Sequence, residues 1–298
     1  MEKNDIWGAL SQHRAFVMAS THLAAGDEEH TPQSPSSSLP VTLLEGLDLF
    51  PAVADSDLQA RLVAFVEAAQ EAGRAGELEG RTFQRPSAKW AATGQSRDMV
   101  QYGAYTNSNR IQPVPVAPLP PLLLHLVDLL VARGVFSESQ RPDACTVNVY
   151  APHNWLPPHI DSENFDRPFC TVSLLSEQQA VFGEAITGEA GIWAGGLRVS
   201  MPCGSALRVT GYAAGPDCMH AVPCPSSRRI SLTFRRVSQQ YRTATERERR
   251  EREQARATAR AARAGDNAAK VVAQMARMRQ VPGPEAVAEA TRRFSVPR

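Results

Sequence analysis

Arg228-Arg229-Ile230-Ser231-Leu232-Thr233-Phe234-Arg235 alternates without a break. On an extended strand, Ile230, Leu232 and Phe234 face one way, and Arg229, Ser231, Thr233 and Arg235 the other. On an open sheet the polar face would simply be wet. In a barrel it would line the interior, where the planar fork of Arg229 can take a carboxylate through two hydrogen bonds. Thr146-Val147-Asn148-Val149-Tyr150 alternates in the same way and puts Asn148 and Tyr150 on one face as neutral hydrogen-bonding groups. Between these two runs, residues 145–237 break into short β-rich segments at 146–150, 169–175, 180–184, 197–201, 205–210 and 229–235, separated by Pro, Gly, Asn and Asp.

Upstream the texture is helical. Asp55-Ser56-Asp57 can cap a helix whose apolar positions Leu58, Leu62, Val63, Phe65 and Val66 keep the helical period and fade at Gly73. A second helix is expected over 122–132, opened by Pro120-Pro121 and closed at Gly134. Helices first and short strands afterwards predict an α+β domain built round a barrel or jelly roll.

Both ends differ from this block. Residues 31–40 are Ser/Pro-rich and read as a linker, with an appendage before them in which 6–22 could form a short amphipathic helix. Residues 241–298 hold 14 Lys+Arg against 7 Asp+Glu, whereas the first 240 hold 18 against 24. Within this basic end, 241–264 has no Gly, no Pro and almost no apolar stripe, which predicts a solvated helix stopped by Gly265. The expected division is therefore 1–40, 41–240 and 241–298. The basic tail is either merely solvated or a surface for RNA phosphates or another protein, and its interleaved glutamates weaken the second reading.

The 298 residues carry a formal net charge of +1 and 43% hydrophobic residues, enough for a sizeable core and too apolar for uniform disorder. No run of 18 apolar residues occurs, and the first residues do not open a signal peptide, so no membrane partner is expected and the location is taken as nuclear and/or cytoplasmic. The five cysteines form no C-x-x-C pair and are expected to be free thiols.

His159-Ile160-Asp161 places an imidazole and a carboxylate on one face of a strand. Alone this pair is a weak signal, since 7 His and 12 Asp in this length produce roughly 0.3 such pairs by chance. His220, 59 residues after Asp161, would complete a 2-His-1-carboxylate facial triad for non-haem Fe(II), though it could equally be a turn histidine. Cys218 and Cys224 bracket His220 and are read as bystanders, because a thiolate beside reactive iron would be oxidised.

Asn148-Val149-Tyr150, His159-Ile160-Asp161, Arg167-Pro168-Phe169, Phe182-Gly183, Gly211-Tyr212-Ala213, His220, and Arg229 with Arg235 stand in an order that resembles the AlkB-homologue family of Fe(II)/2-oxoglutarate dioxygenases. Within it, the chain resembles the plant and animal RNA N6-methyladenosine demethylases. The plant side is favoured by Gly94-Gln95-Ser96-Arg97-Asp98-Met99-Val100-Gln101-Tyr102-Gly103 and by Arg208-Val209-Thr210-Gly211-Tyr212. The likeness covers about residues 41–237.

What the resemblance implies is specific. The fold would be a double-stranded β-helix (jelly-roll) core with N-terminal supporting helices and the basic C-terminal helix outside it. His159, Asp161 and His220 would bind Fe(II) and carry catalysis. Arg229, Asn148 and Tyr150 would hold 2-oxoglutarate, with Arg235 grouped beside them near the metal-binding Asp161. O2 would be the second cosubstrate, and oxidation of an N-methyl group would end in release of formaldehyde. Tyr105 would lie on the substrate lid, with His153 and Trp155 as further stacking groups for a base of single-stranded RNA, or of DNA. Asn107 stands where the animal enzymes have a tyrosine, and Val181 and Ala221 where they have a disulfide that helps to select single strands, so strand preference is not inherited. Two other readings stay open: the same chemistry on other alkylated bases in DNA or tRNA or on a protein side chain, and a non-catalytic RNA-binding adaptor.

Overall fold

The computed structural model describes residues 39–278 and 283–293. The helix considered at 6–22 and most of the Ser/Pro-rich linker lie outside the described residues.

Two antiparallel sheets form the core. The larger runs β1 (Val41–Leu44), β2 (Leu47–Phe50), β14 (Ala206–Val209), β9 (Phe169–Leu174), β16 (Arg229–Arg235), β7 (Ala144–Tyr150), β4 (Asp98–Tyr102) and β3 (Phe83–Gln84) in spatial order. The smaller runs β13 (Leu197–Met201), β10 (Gln178–Gly183), β15 (Met219–Val222) and β8 (Leu156–His159). Two hairpins stand apart, β5 (Tyr105–Asn107) with β6 (Arg110–Gln112), and β11 (Thr187–Glu189) with β12 (Ile192–Ala194). The arrangement is that of a jelly roll.

The alternation of β16 is realised on both faces. Ile230, Leu232 and Phe234 are fully buried in the main core, whose other half is supplied by helices α1 (Ser56–Ala75) and α3 (Pro121–Ala132). Helix α1 starts where Asp55 accepts the Leu58 amide at 2.8 Å, and it buries Leu58, Leu62, Val66 and Ala69 along one stripe. It passes through Gly73, where a Cβ would fall 2.3 Å from the Phe83 ring, and ends at Gly76 with φ of 80°. Helix α3 begins with Pro121 in its first turn and buries Leu123, Leu126, Val127 and Leu130. A second apolar cluster joins the sheets to each other, with Phe169, Leu207 and Val209 from the larger meeting Ala180, Phe182, Val199 and Met201 from the smaller.

Two expectations are corrected. Strands do not simply follow helices: β1 to β6 precede α3, and β4 lies inside the larger sheet beside β7. These strands are two to five residues long, too short for a period to declare itself. The basic helix also does not stop at Gly265, because α4 runs from Gln239 to Met278. A mid-helix glycine costs about 1 kcal/mol relative to alanine, and the surrounding Ala, Arg and Gln outweigh that. The chain divides into two compact units at Arg242/Thr243, and the second contains the rest of α4 and helix α5 (Pro284–Arg293). A five-residue helix, α2 (Ala88–Ala92), lies between β3 and β4.

Candidate active site

β8 ends on His159, and β15 carries His220 directly opposite it in the ladder. Asp161 follows two residues after His159 on the segment leaving the sheet. The three therefore converge: one ligand atom from each lies within 4.8 Å of the others. The Nε2 atoms of His159 and His220 lie 3.5 and 4.0 Å from the same Asp161 oxygen, Oδ1. Nδ1 of His159 is 2.9 Å from the Pro157 carbonyl, which can only accept. Nδ1 thus carries the proton, and Nε2 presents its lone pair.

The surroundings hold Asp161 and His220 in metal-binding form. Burial pushes the Asp161 carboxyl up, but Arg235 and the two imidazoles together hold it well below the usual carboxylate range. His220 is brought down to about 3, chiefly by burial and then by the neighbouring His159, so it is neutral at physiological pH. Its ring stacks on Phe182 at 5.5 Å. Cys218 and Cys224 are outside the donor cluster, and all five cysteines are free.

A cavity of about 780 Å³ opens from the triad. On its larger-sheet wall the polar face of β16 is buried instead of wet, with Ser231 and Thr233 between Arg229 and Arg235. Arg229 is 1% exposed. Its Nη2 donates to Ser173 Oγ at 3.2 Å, while Nε and Nη1 are buried without a partner. Burial, the main influence, presses its pKa down from the ordinary guanidinium value. Two orphan donors on a buried planar cation that lines this cavity fit the distal carboxylate of a dicarboxylic acid. Tyr150 packs its ring 5.2 Å from this guanidinium. Asn148 Oδ1 accepts from Arg97 Nε at 2.9 Å, which leaves its amide NH2 as the free end.

Arg235, expected among the cosubstrate groups, has another partner. Nε and Nη2 both donate to Asp161 Oδ2, at 2.9 and 2.7 Å. Tyr105 lies on the cavity wall beneath Arg81, whose guanidinium is 6.0 Å from its ring. Its hairpin is fixed at both ends. Buried Gln101 accepts the Thr106 amide at 2.8 Å and donates to the Thr106 carbonyl at 3.2 Å. At the turn, Asn109 donates to the carbonyl of Ile160, between two metal ligands, at 2.8 Å.

His153 and Trp155 do not join them. Neither lines the cavity. Trp155 packs edge-on against Trp193 at 5.4 Å, in a cluster with Val181, Ile186 and Ala221, so its indole is structural. His153 occupies a left-handed turn with φ of 71°, and its carbonyl receives the Cys224 thiol. Val181 and Ala221 are direct cross-strand partners in this same cluster.

Arg97 is the group that residue patterns alone leave without a role. It lines the cavity, holds Asn148 and lies 6.0 Å over the Tyr150 ring. The available signal was its position one residue before β4, which pairs Asp98 with Val149.

The model of the 2OG-Fe(II) oxygenase superfamily matches residues 46–235. RNA demethylase ALKBH9B of Arabidopsis thaliana is 38% identical over 205 residues, covering 65% of this chain and 40% of that protein. RNA demethylase ALKBH10B of the same plant is 30% identical over 205 residues, covering 65% and 35%. The chain thus spans less than half the length of these curated relatives. The solved structure titled "The structure of OsALKBH1" aligns at a TM-score of 0.46 and 17% identity over 64% of this chain and 96% of its own. The superfamily match and the two plant relatives bear out the AlkB-homologue resemblance, and Fe(II), 2-oxoglutarate and O2 are the cofactor and cosubstrates that go with it. With its triad and buried arginine set as that chemistry requires, the chain belongs to the 2OG-Fe(II) oxygenase superfamily.

Proposed function

We propose that this protein is an Fe(II)- and 2-oxoglutarate-dependent demethylase of N-methylated nucleobases, acting on N6-methyladenosine in single-stranded RNA. One observation carries the reading: the His159–Asp161–His220 cluster and Arg229, with Nε and Nη1 unpartnered, line one cavity, whose wall bears the aromatic Tyr105. The names of the two plant relatives support RNA as the substrate class.

In this reading His159, Asp161 and His220 would hold Fe(II) beside the cavity. Arg229 takes the distal carboxylate of 2-oxoglutarate, with Tyr150 and the free amide of Asn148 beside it. Iron held there would supply the O2-dependent oxidation that puts one oxygen atom into an N-methyl group, with 2-oxoglutarate going to succinate and CO2. Release of formaldehyde from the hydroxymethyl amine then frees the base. Tyr105 stacks on a base taken out of the strand, and the Gln101 and Asn109 contacts keep its hairpin in register with the metal strand.

The test is anaerobic loading with Fe(II) and 2-oxoglutarate, then O2, and mass spectrometry of a single-stranded RNA carrying one N6-methyladenosine. Methyl loss that needs both additions and disappears in His159→Ala supports the reading. Succinate formation with the RNA untouched would remove the substrate assignment, and a panel of alkylated DNA, tRNA and peptide substrates would then find the replacement.

A further inference from the structure

Helix α4 has two regimes of charge. In its first half, Arg247, Arg249, Arg250 and Arg252 all have glutamates of the same helix within 4.0 Å. After Glu253 the acids stop, and Asp266 alone stands against Arg256, Arg260, Arg263, Lys270 and Arg277. Among the described residues none of these five cations has an ion pair, and all are exposed.

Their spacing puts them on one side. At 3.6 residues per turn, Arg249, Arg252, Arg256, Arg260 and Arg263, continued by Lys270 and Arg277, fall within an arc of about 100°, and every acid of the helix falls outside it. At 1.5 Å per residue the stripe is about 42 Å long. We propose that this stripe is a second, sequence-independent RNA-binding surface that takes the phosphate backbone of a strand, separate from the pocket that takes the base.

The neighbouring faces argue for a polyanion without an apolar requirement. Beside the stripe, positions 257, 261, 264 and 268 are all alanine, too shallow for the knobs of a partner helix. Among the described residues, the large exposed apolar side chains on α4 are Val271, Val272 and Met275, three residues near one end and not the continuous face that lies in a lipid interface. Phosphate contacts need only the cations and the counterions they release. The choice of RNA over other polyanions rests on the substrate reading above, so the probe is free of methyl marks and binding is scored apart from demethylation.

The experiment is fluorescence anisotropy of the full chain with a labelled, unmethylated single-stranded RNA, across 50–200 mM salt. Arg260→Gln with Arg263→Gln removes two charges from the stripe, and Arg247→Gln with Arg250→Gln removes two from outside it. At 0.1 M salt the stripe variant is expected to bind about 10- to 30-fold more weakly, with a salt slope lower by about 1.4, while the second variant changes by under about 3-fold. Arg260→Lys with Arg263→Lys should retain affinity, which separates lost charge from a damaged helix. Equal losses from the two glutamine variants would reduce the stripe to a net-charge effect and overturn the proposal, as would no loss from either. Stripe-dependent binding to phosphatidylserine vesicles without binding to RNA would assign the surface to a membrane instead. Methyl removal from the marked RNA is measured separately, so either reading can fail alone.

Discussion

Both donors that Arg235 turns toward Asp161 land on one oxygen, Oδ2, so Oδ1 alone faces the imidazoles of His159 and His220. Asp161 would thereby offer a metal Oδ1 alone, and Arg235 would act on that metal through it. Arg235→Ala is expected to weaken metal binding about 10- to 100-fold. Arg235→Lys, which keeps the charge and loses the two-donor grip, should recover only part of this. Titration with Co(II), followed by its visible spectrum, reads both affinity and ligand geometry; unchanged spectra and affinity would mean that Arg235 is not a positioning residue.

Arg229 is a buried cation with two orphan donors, a costly arrangement until a carboxylate arrives. Arg229→Met should therefore raise the melting temperature of the cosubstrate-free protein while abolishing the stabilisation that 2-oxoglutarate confers. For the unaltered protein that stabilisation is about 2.7 kcal/mol at a hundredfold excess over Kd. Thermal melts with and without 2-oxoglutarate, under anaerobic Mn(II), decide it. A variant that still responds to the ligand would place the carboxylate elsewhere.

Tyr105 and Trp155 should separate cleanly. Tyr105→Ala is expected to raise KM for the methylated strand about tenfold or more, as loss of base stacking worth about 1–3 kcal/mol would, with the fold intact. Trp155→Ala should lose about 3–5 kcal/mol of stability through the cavity left beside Trp193, without a specific effect on KM. Urea denaturation paired with steady-state kinetics distinguishes the two, and the reverse pattern would return Trp155 to the substrate site.

Burial raises the Cys218 thiol from 9.0 to about 11. The unfolded chain then releases this proton at lower pH than the folded one. The stability tied to Cys218 is therefore complete below pH 9 and is lost as pH rises toward 11. Melting temperature should fall over that window, and Cys218→Ala should flatten the fall. An unchanged slope in the variant would assign the alkaline loss to other groups. At pH 8, iodoacetamide followed by mass spectrometry should modify exposed Cys203 first and leave buried Cys145, Cys170 and Cys218 unmodified.

The legible parts of this protein were those set by neighbours in the chain. Period-two alternation in 229–235 and 146–150 foretold which side chains enter the core and which line a cavity, and the structure places Ile230, Leu232 and Phe234 in one and Ser231 and Thr233 in the other. Asp55 and Pro121 marked helix starts because caps are local hydrogen-bond and steric events. His159 and Asp161 were visible as a pair for the same reason. His220 and Arg229 stood as candidates by residue type, and the family's motif order tied them to that pair, which spacing alone left open.

Tertiary structure decided the rest, where a side chain's role depends on what lies across from it. Trp155 is four residues from a metal ligand yet packs on Trp193, 38 positions away in sequence. Arg97 acquires its place because β4 pairs with β7 and brings it to Asn148. Gly265 did not end its helix, since a stop needs a backbone turned away and a lone glycine only lowers the local preference. Sequence alone determined periodicity, caps and the donor types available for chemistry, because each is a property of adjacent residues. Which donors share a cavity, which cation keeps orphaned hydrogens and which aromatic ring is spent on packing were decided by the folding of two sheets onto each other, which brings His220 of one sheet against Phe169 of the other, 51 positions away in sequence.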